Sequence, residues 1–259
     1  MNHNLCRISS DVKSPDSRSN SDFIVHFNNM TCIEAINRVV IKSIDIPNVF
    51  YNISDTGYNK LDEGNSTFSF TAGGVPGAIT LPTGQYSITE LITALNNDVT
   101  LQGFGFVATL NELTDKLSFT TTTPFNFLSF EDGNNMAHVL GILESSGEVL
   151  AFTSQGFYNL GGVQEVYIAS QKISDGSNMV VPDGRCIPVI AHVALTVPFG
   201  FTEHYRTPHP ELSDIEYPSI RAGSSLRTAD ILITDKYGNI LDLGGLDVNI
   251  ILKLYHDTP

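Results

Sequence analysis

"SLRTADILITDKYGNILDLGGLDVNIILKLYH", Ser225 to His256, nearly closes a chain of 259 residues. It reads as two hydrophobic strands joined by a turn. In the second, Leu246, Val248, Ile250, Leu252 and Leu254 alternate with Asp247, Asn249, Ile251, Lys253 and Tyr255. That is period two, with one face for a core and the other largely polar. Upstream, "ADILITD" (229–235) runs into "NILDL" (239–243) through Lys236, Tyr237 and Gly238, a loop short enough for antiparallel pairing. Nothing in the stretch resembles a catalytic pattern. Its work is packing.

The same grammar extends towards the N-terminus. In "DFIVHF" (22–27), Phe23, Val25 and Phe27 share one face, with Ile24 and His26 on the other. "INRVVIKSIDIP" (36–47) is rich in β-branched residues and stops at Pro47, which brings no N–H to a ladder. "NSTFSFTA" (65–72), "GAITLP" (77–82), "FGFVATL" (104–110), "KLSFTTT" (116–122), "QEVYIASQKI" (164–173) and "CIPVIAHVALTVPFG" (186–200) continue the pattern between Gly and Pro breaks. One stretch differs. In "GQYSITELITALNN" (84–97), Ile88, Leu91, Ile92 and Leu95 recur at helical spacing, and Ser87 with Glu90 forms a capping box. Tyr86 and Leu91 are placed to act as its hydrophobic staple. A short helical turn is expected over "NMAHVLGI" (135–142), stopped by Gly141. Many short strands and little helix predict an all-β protein, a β-sandwich. Residues 1–21 are polar and aperiodic, and read as a tail or an arm that orders against a neighbour.

Composition narrows the function. Lys and Arg number 14 against 28 Asp and Glu, a formal net charge of −14. A phosphate-binding surface wants the opposite balance, so no direct nucleic-acid contact is expected. No apolar run is long enough to span a bilayer, and the N-terminus lacks the apolar core of a signal peptide. Cys6, Cys32 and Cys186 have unrelated spacings and read as reduced cysteines rather than a disulfide framework. The sequons at Asn29, Asn52 and Asn65 are then chance occurrences.

The chemical candidates are weak. Glu203, His204, His209, Glu211 and Asp214 crowd into the segment "TEHYRTPHPELSDIEYP" (202–218), but without the His-x-His pair of cupin-like metal sites. No Gly-x-Ser-x-Gly elbow or P-loop occurs, and "GGVPG" and "LGG" read as turns. "DSRSNSD" (16–22) and "DKYGN" (235–239) lack the ligand spacing of a calcium loop. No catalytic, cofactor-binding or metal residue is assigned, no cofactor is expected, and the chain is read as a non-enzyme.

The order of the motifs carries more than any one of them. "DSRSNSDFIVHFNN", "INRVVIKSIDIPNVFYNI", "LPTGQYSITELITALNN", "HVLGI", "VYIASQKI" and "LRTADILITDKYGNILDLGGLDVNIILKL" follow one another across nearly the whole chain. This succession resembles the penton and single-jelly-roll minor capsid proteins of large double-stranded DNA viruses, virophages and Polinton-like elements. The resemblance implies a jelly-roll β-sandwich with a short inserted helix and an extended N-terminal arm. It divides the chain into an arm (1–21) and a capsid domain (22–259), with a helix-bearing insertion at about 85–141. It implies a structural virion protein, penton or minor capsid subunit of an icosahedral capsid, assembled in the host cytoplasm or nucleus. The partners implied are the chain itself as a homopentamer, the major capsid protein and other minor capsid proteins. The alternative is a host-attachment or carbohydrate-binding sandwich using exposed loop aromatics such as Phe201, Tyr205 and Tyr217.

Overall fold

A computed structural model describes residues 2–27, 36–57, 64–174, 178–181, 184–206 and 227–256. Its strands begin with β1 (Asn2–Ser9), β2 (Asp22–His26), β3 (Ile36–Pro47), β4 (Thr67–Ala72) and β5 (Val75–Thr80). Helices α1 (Ile88–Asn97) and α2 (Val99–Gln102) follow, then β6 (Val107–Asn111), β7 (Lys116–Phe127), α3 (Ala137–Leu140) and β8 (Glu148–Thr153). The chain ends with β9 (Glu165–Ala169), β10 (Asn178–Val180), β11 (Cys186–Ala194), β12 (Thr202–Arg206), β13 (Thr228–Thr234) and β14 (Asn249–His256). Contacts divide it into two compact units, residues 1–50 with 163–259, and residues 51–162.

In the first unit the pairing is nested. β1 pairs with β14, β2 with β13, β3 with β12 and β9 with β11, all antiparallel. The outermost strands of the sequence pair with each other, then the next pair inward, as in one long ribbon folded at its tip. Two further pairings, β14 with β3 and β13 with β9, roll that ribbon into two sheets ordered β1-β14-β3-β12 and β10-β11-β9-β13-β2. This is the jelly roll. Inward side chains of both sheets form one core, including Ile8, Phe23, Ile44, Ile168, Ile231 and Ile250. Complete burial of such a side chain is worth about 1.5–3 kcal/mol.

The closing stretch thus differs from a hairpin of two long strands. β13 lies between β9 and β2, whereas β14 lies between β1 and β3 in the other sheet. Beyond β13 the expected pairing shrinks to a single bridge, Thr234 with Ile240, and "NILDL" forms no strand. Residues 235–248 instead carry the chain across from sheet to sheet. Period-two alternation marks which face is buried, not which sheet receives it. Val248, Ile250, Leu252 and Leu254 are buried as the alternation requires. Leu246 is not: it precedes the strand and is 49% exposed.

The polar start is extended, and its partners are in its own chain. β1 pairs along its whole length with β14. Beyond it, the Ser10 N–H donates to the Val248 carbonyl (3.1 Å), the Ser14 N–H to the Ile24 carbonyl (2.7 Å), and Asn20 Nδ2 to the Gly245 carbonyl (3.0 Å). Only Cys6 and Ile8 of β1 bring apolar side chains to the core, and Leu5 faces outward. Ladder and turn hydrogen bonds order the segment, and composition does not record them.

The second unit is a small sheet with helices. β4 pairs with β5, and β7 pairs with β4, β6 and β8. Its core is a cluster of phenylalanines, with Phe70 and Phe125 ring centres 4.6 Å apart and Phe127 and Phe152 5.0 Å apart. Helix α1 has its capping box: Glu90 N–H donates to Ser87 Oγ (3.3 Å) and Ser87 N–H to Glu90 Oε2 (2.8 Å). Leu91 and Leu95 are its buried residues, and Tyr86 packs on the same core. Gly141 ends α3 at φ +72°. The segment's two ends meet, since a Cβ on Gly162 would lie 3.2 Å from the Asn52 Cα. The unit is wider than the helix-bearing segment 85–141 read from sequence. It includes β4 and β5 before it and β8 after it.

Candidate functional site

β12 separates the first two residues of the metal candidate. Glu203 and His204 are adjacent on a strand, so their side chains leave on opposite faces. Glu203 turns to the loop before it, accepting hydrogen bonds from Thr196 N–H (2.6 Å), Thr196 Oγ1 (2.9 Å) and Val197 N–H (3.2 Å). Partial burial pushes its carboxyl pKa up, but those bonds and the nearby His204 outweigh it, leaving it below the ordinary value of 4.5. His204 Nδ1 lies 2.8 Å from Asp45 Oδ1 on β3. Glu203 is a loop anchor and His204 half of an exposed pair. His209, Glu211 and Asp214 lie outside the described residues, as does Tyr217. Among the described residues, no group of three His, Cys, Asp or Glu is placed to hold a metal ion.

Other sequence candidates also have structural partners. Asp235 of "DKYGN" is buried and accepts from Tyr237 N–H (2.8 Å) and Asn239 N–H (3.0 Å), which makes it the cap of a turn. In "DSRSNSD", Ser19 Oγ accepts from Asp22 N–H (3.0 Å) and Arg18 Nε lies 2.8 Å from Asp22 Oδ2. Asn52 is buried and joins the Tyr86 and Leu160 carbonyls, while Asn65 spans Ser54 and Asn52. Asn29 lies outside the described residues. Cys6 is a buried free thiol, its pKa pushed up to about 11 by burial, and Cys186 is free and exposed. Cys32 lies outside the described residues. Of the aromatics proposed for attachment, Phe201 is 64% exposed. Tyr205 corrects the expectation of an exposed loop residue: it belongs to β12 and packs on the core, because strand alternation turns it inward.

Sequence reasoning missed a surface. On the outward face of the four-stranded sheet, Arg7 of β1 is in register with Ile251 of β14, Ile251 with Ser43 of β3, and Ser43 with Arg206 of β12. Lys253 follows Ile251 by two residues, and Lys42 is the extra residue where β3 bulges against β14. Strands about 4.8 Å apart bring these four cations, from four segments of the chain, onto one patch. Arg7 Nε donates to Asn249 Oδ1 (3.0 Å), and Lys253 Nζ sits 4.9 Å from the Tyr255 ring centre. Among the described residues, the nearby acids are Asp11, 3.6 Å from Arg7, and Asp45, already paired with His204. Lys42, Lys253 and Arg206 make no ion pair among the described residues.

The fold is a jelly roll with a second β unit inserted between its third and fourth strands. No family model matches the chain, and no curated protein matches it. Among solved structures it is similar to the crystal structure of the penton protein of mavirus, at 11% identity and a TM-score of 0.52. The match covers 98% of this chain and 99% of that one. At that identity the likeness is one of fold, and it extends through the inserted unit as well as the roll. Among the described residues, no helix is long and apolar enough to cross a membrane.

Proposed function

We propose that the chain is a structural capsid protein, a penton or minor capsid subunit that works as a homo-oligomer in an icosahedral shell. The observation that carries the reading is the nested ribbon with its inserted unit, matched end to end by a penton protein. The ordered motifs of the sequence point the same way, and the candidate groups among the described residues are engaged in turns, caps and strand pairs. A pentamer at the five-fold vertices, contacting the major capsid protein, is the arrangement the penton likeness favours. The N-terminal segment, residues 1–21, and the inserted unit are then parts of one shell subunit.

Purified particles test this directly. The chain is expected at a fixed copy number relative to the major capsid protein, with its density on the five-fold axes of a cryo-electron-microscopy map. Density at other positions in the shell assigns it to the minor capsid class. Absence from particles, combined with binding of the isolated chain to glycans through Phe201, overturns the capsid reading in favour of attachment.

A further inference from the structure

We propose that the outward face of the β1-β14-β3-β12 sheet is a contact surface for a second copy of this chain, and that it meets an acidic surface of that copy rather than itself. The inference rests on the homo-oligomer reading and adds which face makes the contact and with what polarity. Charge is the reason. The chain carries a net −14, yet among the described residues this face gathers Arg7, Lys42, Arg206 and Lys253 against Asp11 and Asp45. With this face locally positive, the rest of the surface is more acidic than the chain's average. The segment 51–162 is the extreme, with eleven Asp and Glu against Lys60 and Lys116 and no Arg, a net of −9. The other 147 residues hold twelve Lys and Arg against seventeen acids.

Two such faces brought together about a two-fold axis would set like charges against each other. One face placed on an acidic surface of the next copy sets unlike charges in contact and offsets part of the repulsion between two −14 chains. A contact between two different surfaces is heterologous, and when its rotation closes it makes a ring. Ile251, Tyr255 and Leu5 on the same face add partly exposed apolar area between the cations. A polyanion such as DNA could also lie on a basic patch, but the acidity of the surrounding chain opposes an extended phosphate track.

The test uses the full chain. Equal amounts of ¹⁵N-labelled and unlabelled protein are assembled, treated with a carbodiimide that joins amines to carboxylates in direct contact, and digested for mass spectrometry. Labelled-to-unlabelled links are expected from Lys42 or Lys253 to Asp or Glu. In parallel, the K42E/K253E/R206E variant, with an unchanged melting temperature, is expected to dissociate with a Kd at least 100-fold higher by native mass spectrometry. An oligomer that forms equally well in the variant, or without those cross-links, overturns the assigned face and leaves the homo-oligomer reading standing. A wild-type chain that is monomeric in solution and in particles overturns the homo-oligomer reading itself. Retention of duplex DNA by the wild type, lost in the variant while the oligomer persists, overturns the self-contact and makes the face a nucleic-acid surface.

Discussion

Leu252 and Lys253 are neighbours in β14 that alternation assigns to opposite faces, so the pair tests the register of the whole roll. Leu252 is completely buried and in register with Cys6 on one side and Ile41 on the other, both buried. Truncation to Ala removes three carbons from a centre strand flanked on both edges, where collapse around the void is restricted. Large-to-small changes of this kind cost about 2.5–5 kcal/mol. With a urea slope of about 2 kcal/mol/M for a unit of this size, the unfolding midpoint should fall by roughly 1–2.5 M. Lys253→Ala gives up a partly exposed stem and a cation–π contact with Tyr255, together about 0.5–1 kcal/mol, and should move the midpoint by at most about 0.5 M. Aspartate sharpens the contrast. At position 252 the only side-chain donor in register is the weak Cys6 thiol, and a buried carboxylate so poorly paired adds several kcal/mol to the cavity cost. That is comparable to the whole stability of a typical domain, about 5–15 kcal/mol, so Leu252→Asp should not accumulate as folded protein. Lys253→Asp should. Circular dichroism across a urea series, with soluble yield for the aspartate variants, reads all four. Equal midpoint shifts for the two alanine variants, or folded Leu252→Asp, would mean that β14 is out of register by one residue.

Three more outcomes can be checked on the isolated chain. Gly141→Ala places a Cβ 2.5 Å from the Gly156 carbonyl oxygen at a positive φ, so it should lower stability by more than about 1 kcal/mol, seen as a lower melting temperature. Glu203 has its carboxyl pKa lowered in the folded chain, so its contribution is full above the ordinary value of 4.5 and is lost as pH falls through the folded pKa. The melting-temperature gap between wild type and Glu203→Gln should therefore be wider at pH 7 than at pH 3, and a gap independent of pH would contradict the anchoring role. In a Cys32→Ser background, a thiol reagent at pH 8 should modify exposed Cys186 at once. Cys6, buried and with its pKa near 11, should react only on unfolding; simultaneous labelling of both would place β1 off the sheet.

What the sequence made legible is what depends on neighbours along the chain. The capping box of α1, the stop at Gly141 and the buried face of β14 are local patterns, each tied to a backbone geometry with a fixed period. Illegible were relations between distant segments. Alternation in β13 and β14 is the same whether they pair with each other or join opposite sheets, and nothing local distinguishes the two. β1 is a strand because β14 offers it a ladder, with only Cys6 and Ile8 as apolar hints. The cationic face is the clearest instance. Lys253 was readable as outward-facing, but Arg7, Lys42 and Arg206 become its neighbours only through the register of three other strands. Glu203 and His204 show the converse, two plausible ligands adjacent in sequence that a strand points apart.

The nested pairing also accounts for where the chain tolerates its large insertion. In a folded ribbon, every strand before the tip must find a partner after it. An insertion that separates its own two ends would pull apart the halves of the ribbon and break several ladders together. The inserted residues avoid this, because Asn52 and Gly162 meet, so the chain enters and leaves the unit at nearly one point. To the roll, 112 extra residues act as a short connection between β3 and β9. Loop closure rises only as the logarithm of loop length, and a unit with its own core removes most of even that cost. The roll's stability then rests on its own ladders and on residues 228–256 above all, since that stretch supplies a non-edge strand to each sheet. Its loss would remove the partner of β1 and the partner of β2 together.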